Sequence, residues 1–395
     1  MRRAWVAAGV AAVLGLAACG PTEPAAPGGP GAPGASAPPS ASARPSPSGA
    51  PSPAPSGKPA PSPAPTGSTG SGTAAPTPFV RTGVPWHLDR LDQRTGPPDG
   101  RFGARADGGG VHVYVIDTGL DIAHAEFGGR ATAGADFVGE ADSRDCLDGL
   151  GLGHGTFVAG IIAGTTYGVA PRADLVRVQG IACEEGSDSA GRRGAAGAPA
   201  AGAPGAGSQA GPQAGPEAAI VKSVEWVTAH ARRPAVVNMS LNLKNRSAAV
   251  DTAVRRLIDS GIPVVVAAGN FSDDACGHSP AGVGGAIVVA ASTRTDRHWK
   301  DSEGFGSGYG RCVDLYAPGE RITSVLAGGG TVTDESGATS WATPHVTGVV
   351  ALYLGAHPAA TPAQVRTWLL GRAVPGALAG VPAGTPNRLL NTGGL

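Results

Sequence analysis

The sequence predicts an α/β fold built on a mostly parallel central sheet flanked by helices. Two observations predict it. Val111-His112-Val113-Tyr114-Val115-Ile116 is β-branched and alternating, the pattern of a buried strand. Beyond it, strand-length and helix-length apolar runs alternate, which calls for βαβ crossovers. In order, a helix is expected over 155–163, apolar but for Thr156, and a strand over 175–178. A helix over 219–232 repeats its apolar residues at helical spacing, and a strand over 235–240 follows. The helix over 248–260 has the same spacing, and strands over 263–267, 287–291 and 313–316 read as Val/Ile/Ala-rich runs. Helices over 343–354 and 362–370 complete the set.

Glycine (64) and proline (36) together approach the range of low-complexity chains, yet 41% of the residues are hydrophobic. Both hold because the two residues are unevenly distributed. Arg2 and Arg3 precede an apolar run over 4–18, too short to span a bilayer but fitting a secretory signal. The run ends in Leu16-Ala17-Ala18-Cys19-Gly20, which resembles a bacterial lipobox, so Cys19 is the expected lipidation site after removal of 1–18. Residues 19–78 are the lipidated Cys plus a Pro/Ala/Ser/Gly tether, with 18 prolines and only Glu23, Arg44 and Lys58 charged beyond Cys19. Such a segment cannot offset its ordering entropy by burial and is expected to be disordered. Its extended reach is at most about 180 Å at roughly 3.1 Å per residue. The folded domain is expected over 79–395, interrupted by a Gly/Pro-rich insertion at 186–218. The 30 basic and 30 acidic residues balance, which excludes a nucleic-acid binder that needs a Lys/Arg surplus.

Three segments carry an acid, a base and a nucleophile. Val115-Ile116-Asp117-Thr118-Gly119 puts an Asp at the carboxyl end of a strand, where open α/β sheets build their sites. Gly153-His154-Gly155-Thr156 opens a helix with a His between small residues. Thr339-Ser340-Trp341-Ala342-Thr343-Pro344 puts a Ser at the start of a helix whose first turn tolerates the proline. Each is weak alone, since a strand-end Asp is often a turn former and a helix-start Ser an N-cap. Together they run Asp…His…Ser, the subtilisin order of the triad.

On these motifs the chain resembles the subtilisin-like serine peptidases, in particular the proteinase K-like and aqualysin-like branch. The likeness extends from Pro85-Trp86-His87-Leu88-Asp89-Arg90-Leu91-Asp92 to Thr385-Pro386-Asn387-Arg388-Leu389-Leu390. It implies the three-layer subtilisin-like fold. It also implies catalysis by Asp117, His154 and Ser340, with Asn270 as the oxyanion-hole donor. The primary specificity pocket would lie between Ser240-Leu241-Asn242 and Ala267-Ala268-Gly269. The chain departs from the family pattern at Asn242, where the family usually has Gly, and a side chain there is expected to narrow the pocket. Ala338 replaces a Gly, costing about 1–2 kcal/mol if the position needs positive φ. Phe157 stands where His is common and is expected in the core or a pocket wall. The insertion falls where a second substrate-flanking strand begins in the family.

With Cys19 assigned to lipid, four cysteines remain, and three pairings are open to them. The resemblance selects Cys146–Cys183 and Cys276–Cys312. No Cys-x-x-Cys occurs, which argues against zinc. The chemistry needs no cofactor. The resemblance implies a structural calcium held by Asp314 with the carbonyls of Pro280 and Gly282. No folding propeptide precedes the domain, so folding without one and activity without self-cleavage are expected. The expected protein is a monomeric endopeptidase acting on polypeptides, exported and lipid-anchored on the outer face of the cell membrane, in part released outside the cell. The rival reading is an inactive binding lipoprotein of the same fold.

Overall fold

A nine-stranded sheet runs through the computed structural model, which describes residues 77–95, 98–139, 145–146, 152–183 and 216–395. The expected signal, Cys19, nearly all of the tether and nearly all of the insertion lie outside these residues. The described chain begins with β1 (Phe79–Thr82), α1 (Trp86–Asp92), β2 (Arg101–Ala104), β3 (His112–Asp117) and β4 (Ala131–Asp136). It continues through α2 (His154–Ala163), β5 (Asp174–Gln179), α3 (Pro216–His230), β6 (Ala235–Met239), α4 (Ala248–Asp259), β7 (Val264–Ala267) and β8 (Ile287–Ser292). It ends with β9 (Leu315–Pro318), β10 (Glu320–Val325), β11 (Thr331–Gly337), α5 (Thr339–Ala356), α6 (Pro362–Arg372), β12 (Val374–Pro375) and β13 (Arg388–Leu389).

The strand order is β12-β13-β9-β8-β7-β6-β3-β5-β4, and every neighbouring pair except β12–β13 is parallel. β3 lies between β5 and β6, so the chain first adds strands on one side of β3 and then on the other. Ligand sites of open sheets form at such a switch, outside the carboxyl ends of the strands. The two faces of β3 feed separate cores. Val113 and Val115 pack with Phe157 and Ile161 of α2 and Val346 and Val350 of α5. Tyr114 and Ile116 pack with Val224 and Val227 of α3 and Val254 and Leu257 of α4. This is the three-layer arrangement, and it explains why the strands are apolar on both sides.

Several boundaries differ from the sequence reading. α5 begins at Thr339 rather than 343, so Pro344 lies inside the helix and not in its first turn. A proline there deprives the Ser340 carbonyl of its i+4 donor, and Ser240 Oγ donates to that carbonyl instead at 3.0 Å. α3 begins at Pro216, three residues inside the expected insertion, because a proline is tolerated where helix N–H groups are unpaired anyway. β9 lies two residues later than expected, leaving Asp314 just before it. β4 and the β10–β11 hairpin were not expected. β4 lacks branched apolar residues because it is an edge strand, and β11 alternates exposed and half-buried residues. No helix among the described residues is long and apolar enough to cross a membrane.

Candidate active site

Asp117 ends β3 and is fully buried. Its Oδ1 accepts the Thr118 N–H at 2.8 Å and meets His154 Nδ1 at 2.6 Å. The carboxylate therefore keeps the proton on Nδ1 and leaves the lone pair of a neutral ring on Nε2. His154 is the first residue of α2, and the glycines beside it explain the tightness of the approach. A Cβ on Gly155 would sit 2.0 Å from the Gly119 carbonyl, so only glycine lets the helix start reach the Asp117 loop. The imidazole lies against Trp341, ring centroids 5.1 Å apart, and Trp341 packs at 4.5 Å on Phe157. Phe157 is thus a buried wall behind the histidine.

Ser340 is the second residue of α5, immediately before Trp341. Its Oγ donates to the Ser240 carbonyl at 3.2 Å while Ser240 Oγ donates to the Ser340 carbonyl at 3.0 Å. Asn238 Nδ2 donates to Ser240 Oγ at 3.0 Å, and Asn238 Oδ1 accepts from Thr347 Oγ1 at 2.8 Å. Asn238, Ser240 and Thr347 are all buried, so this polar chain ties α5 to the end of β6. Sequence reasoning missed it, although Asn238 inside an otherwise apolar strand was the available signal. Ala338 has φ −159° and ψ 151°, extended backbone that any residue adopts, so the loss of the family's glycine carries no backbone cost.

Asn270 follows β7. Its Oδ1 accepts both the N–H and the Oγ1–H of Thr339, each at 2.8 Å. Those two donors fix the amide orientation, because Nδ2 in the same place would set donor against donor. The segments around Ser240, Leu241 and Asn242 and around Ala267, Ala268 and Gly269 leave the adjacent strands β6 and β7. Asn242 Nδ2 donates to the Ala267 carbonyl at 2.6 Å and so bridges them. Its Oδ1 is buried without a partner among the described residues.

One residue of the site gave no signal in the sequence. Asp145 is half-buried beside Asp117, its pKa pushed up to about 6 chiefly by loss of hydration, with the Asp117 charge adding to it.

The subtilase family model matches residues 108–393. The chain belongs to the subtilase family. It is 43% identical over 315 residues to an extracellular serine proteinase of Thermus sp., an alignment covering 79% of this chain and 67% of that protein. It is 41% identical to alkaline serine exoprotease A of Vibrio alginolyticus, covering 78% of this chain and 50% of that one. This subtilase thus spans between half and about two thirds of the length of these two relatives. The crystal structure of a cold-adapted subtilisin-like serine proteinase, 39% identical, matches with a TM-score of 0.66 over 79% of this chain and 99% of that one.

In this subtilase Cys146 is bonded to Cys183 and Cys276 to Cys312, each pair 5.3 Å apart at Cα. Loops of 37 and 36 residues are worth up to about 4 kcal/mol each in the chain-entropy account. The expected calcium ligands do not fit the ion. Arg366 pairs with the Asp314 carboxylate, which also accepts the Val288 N–H at 3.1 Å. Arg246 donates to the Gly282 carbonyl at 3.1 Å, and the Pro280 carbonyl accepts the Val283 N–H at 2.9 Å. Two guanidinium groups therefore stand where a divalent cation would need bare oxygens. No cluster of three or more His, Cys, Asp or Glu suited to a metal occurs among the described residues.

Proposed function

We propose that this subtilase is a serine endopeptidase that hydrolyses polypeptides with Asp117, His154 and Ser340, held outside the cytoplasmic membrane by a lipid on Cys19. The observation that carries the catalytic reading is the 2.6 Å bond between His154 Nδ1 and Asp117, beside the helix start that bears Ser340. In the reaction Ser340 Oγ attacks the scissile carbonyl and His154 Nε2 takes its proton. His154 then returns the proton to the leaving amine, giving an acyl-enzyme, and water repeats the cycle to release the acid. Asp117 stabilises the imidazolium that forms. The oxyanion is met by the Ser340 N–H and by Asn270 Nδ2, whose orientation Thr339 sets. A preorganised donor of this kind is worth about 2.7–4 kcal/mol in the transition state. The extended substrate pairs with the backbone beyond β6 at Ser240, Leu241 and Asn242. Its side chain before the scissile bond enters between that segment and Ala267-Ala268-Gly269. The Thermus relative is an extracellular serine proteinase, which supports export of this one.

Labelling with a fluorophosphonate tests the reading. Wild-type protein is expected to label and to cleave casein, and Ser340→Ala to do neither while keeping its thermal midpoint. Wild-type protein that folds and does not label would exclude catalysis and leave the binding-protein alternative.

A further inference from the structure

We propose that Asp145 is a positioning residue for the reaction: its carboxylate holds the start of α2 and the Asp117 loop together, and so sets the Asp117–His154 hydrogen bond. The inference rests on the reading of those two residues as catalytic.

Both oxygens of Asp145 are engaged. Oδ2 accepts the Thr156 N–H at 2.6 Å, one of the helix-start donors that an α-helix leaves unpaired. Gly153, the N-cap residue, supplies no side-chain cap, so Asp145 caps α2 from another part of the chain. Oδ1 accepts the Thr118 Oγ1–H at 2.8 Å and the Cys146 N–H at 2.8 Å. Thr118 is the residue after Asp117, and its Oγ1 in turn accepts the Gly155 N–H at 3.3 Å. One half-buried carboxylate thus grips the residue next to the acid and, directly and through Thr118, the first turn carrying the base.

Steric fit gives a second, independent observation. A Cβ on Gly119 would lie 2.7 Å from Asp145 Cα, and one on Gly153 would lie 2.9 Å from Asp145 Oδ2. These two glycines follow Asp117 by two residues and precede His154 by one. The backbone on both sides of the dyad is therefore kept bare where Asp145 fits. The Cys146–Cys183 bond anchors the segment to the stretch just after β5, the strand beside β3.

Charge adds a consequence that packing alone does not have. Among the described residues Asp117 on β3 is a charged group that acts on Asp145, and Asp117 in turn bonds His154 of α2. Asp121, on the loop after β3, spends its carboxylate on the Ala123 and Gly328 N–H groups. A second negative charge behind Asp117 favours the protonated imidazole, so removing it lowers the His154 pKa.

The test is the pH profile of kcat and kcat/KM for wild type, Asp145→Asn and Thr118→Val on a fluorogenic peptide, with active enzyme counted by fluorophosphonate titration. Asp145→Asn is expected to lose roughly 10- to 100-fold in kcat, with KM changed less than about twofold because the effect belongs to the transition state. Its acid limb is expected to move about half a pH unit lower. Thr118→Val, which keeps the charge, is expected to lose kcat without moving that limb. An unshifted acid limb or an undiminished kcat in labelled Asp145→Asn overturns the proposal. If Asp145→Asn does not accumulate folded, an undiminished kcat in Thr118→Val overturns it. Wild-type enzyme that fails to label refutes the underlying catalytic reading as well, so the two failures are told apart.

Discussion

At the proposed specificity pocket one side chain, Asn242, bears on selectivity. Asn242 spans the two segments that flank the proposed specificity pocket, and its amide takes the Ala267 carbonyl. Removing that side chain opens the space and frees a backbone acceptor. Asn242→Gly is therefore expected to raise kcat/KM for a peptide with Phe before the scissile bond relative to Ala by about 10-fold, the low end of what one methylene is worth in a pocket. Equal ratios in wild type and variant would show that Asn242 does not shape the pocket. The departure at Asn242 was legible in the sequence, but the bridge was not, because it depends on two segments 25 residues apart. Ala338 is the reverse case. Its identity was legible and alarming, and only the backbone angles show it to be harmless.

At the scale of elements, α5 carries Ser340, the proposed nucleophile, and is tied down by a buried histidine pair. His345 Nδ1 donates to the Trp341 carbonyl at 2.8 Å, and His87 of α1, with one N–H when neutral, donates either to His345 Nε2 at 2.9 Å or to the Thr323 carbonyl of β10 at 3.1 Å. Both rings are fully buried. Burial drives His345 down to about 3, and burial followed by the His345 charge lowers His87 well below the usual range. Since the unfolded chain binds protons near pH 6.5 and the folded pair does not, the stability of the neutral pair is complete above about pH 6.5 and lost as pH falls below it. Each ring contributes up to about 1.4 kcal/mol per pH unit. Thermal midpoints from pH 7 to 4.5 are expected to fall less steeply in His87→Phe than in wild type. The comparison cancels the carboxylates common to both, so parallel profiles would count against the account. The helix itself was legible from its apolar run, but its start was not. Pro344 reads as a helix opening, whereas in the fold Ser240 supplies the hydrogen bond that the proline cannot.

For the whole molecule, the proposed anchor and the catalytic domain are separable functions. The proposed membrane attachment is assigned to Cys19 alone, and the proposed chemistry to residues from Asp117 onward. Cys19→Ser is therefore expected to move the protein from the membrane fraction to the soluble fraction with kcat/KM unchanged. Retention in the membrane fraction would assign attachment elsewhere. Within the domain, the disulfides differ in what they hold. Cys146–Cys183 bears on the Asp145 segment at the candidate active site, while Cys276–Cys312 joins the loops after β7 and before β9.

The sequence by itself determined the α/β class, the succession of core strands along the chain and the three candidate catalytic residues. Each of these depends on local pattern: alternation, apolar runs and short motifs at strand and helix ends. Only the tertiary structure decided the rest. It brought Asp145 behind Asp117, set Asn238 and Thr347 beneath Ser240, and turned the Asn270 oxygen onto Thr339. It also put Arg366 on Asp314, where a calcium ligand was expected. The physical reason is common to all four. A buried polar group must find its partner wherever the fold supplies one, and that partner is fixed by which strands and helices meet, not by neighbours along the chain.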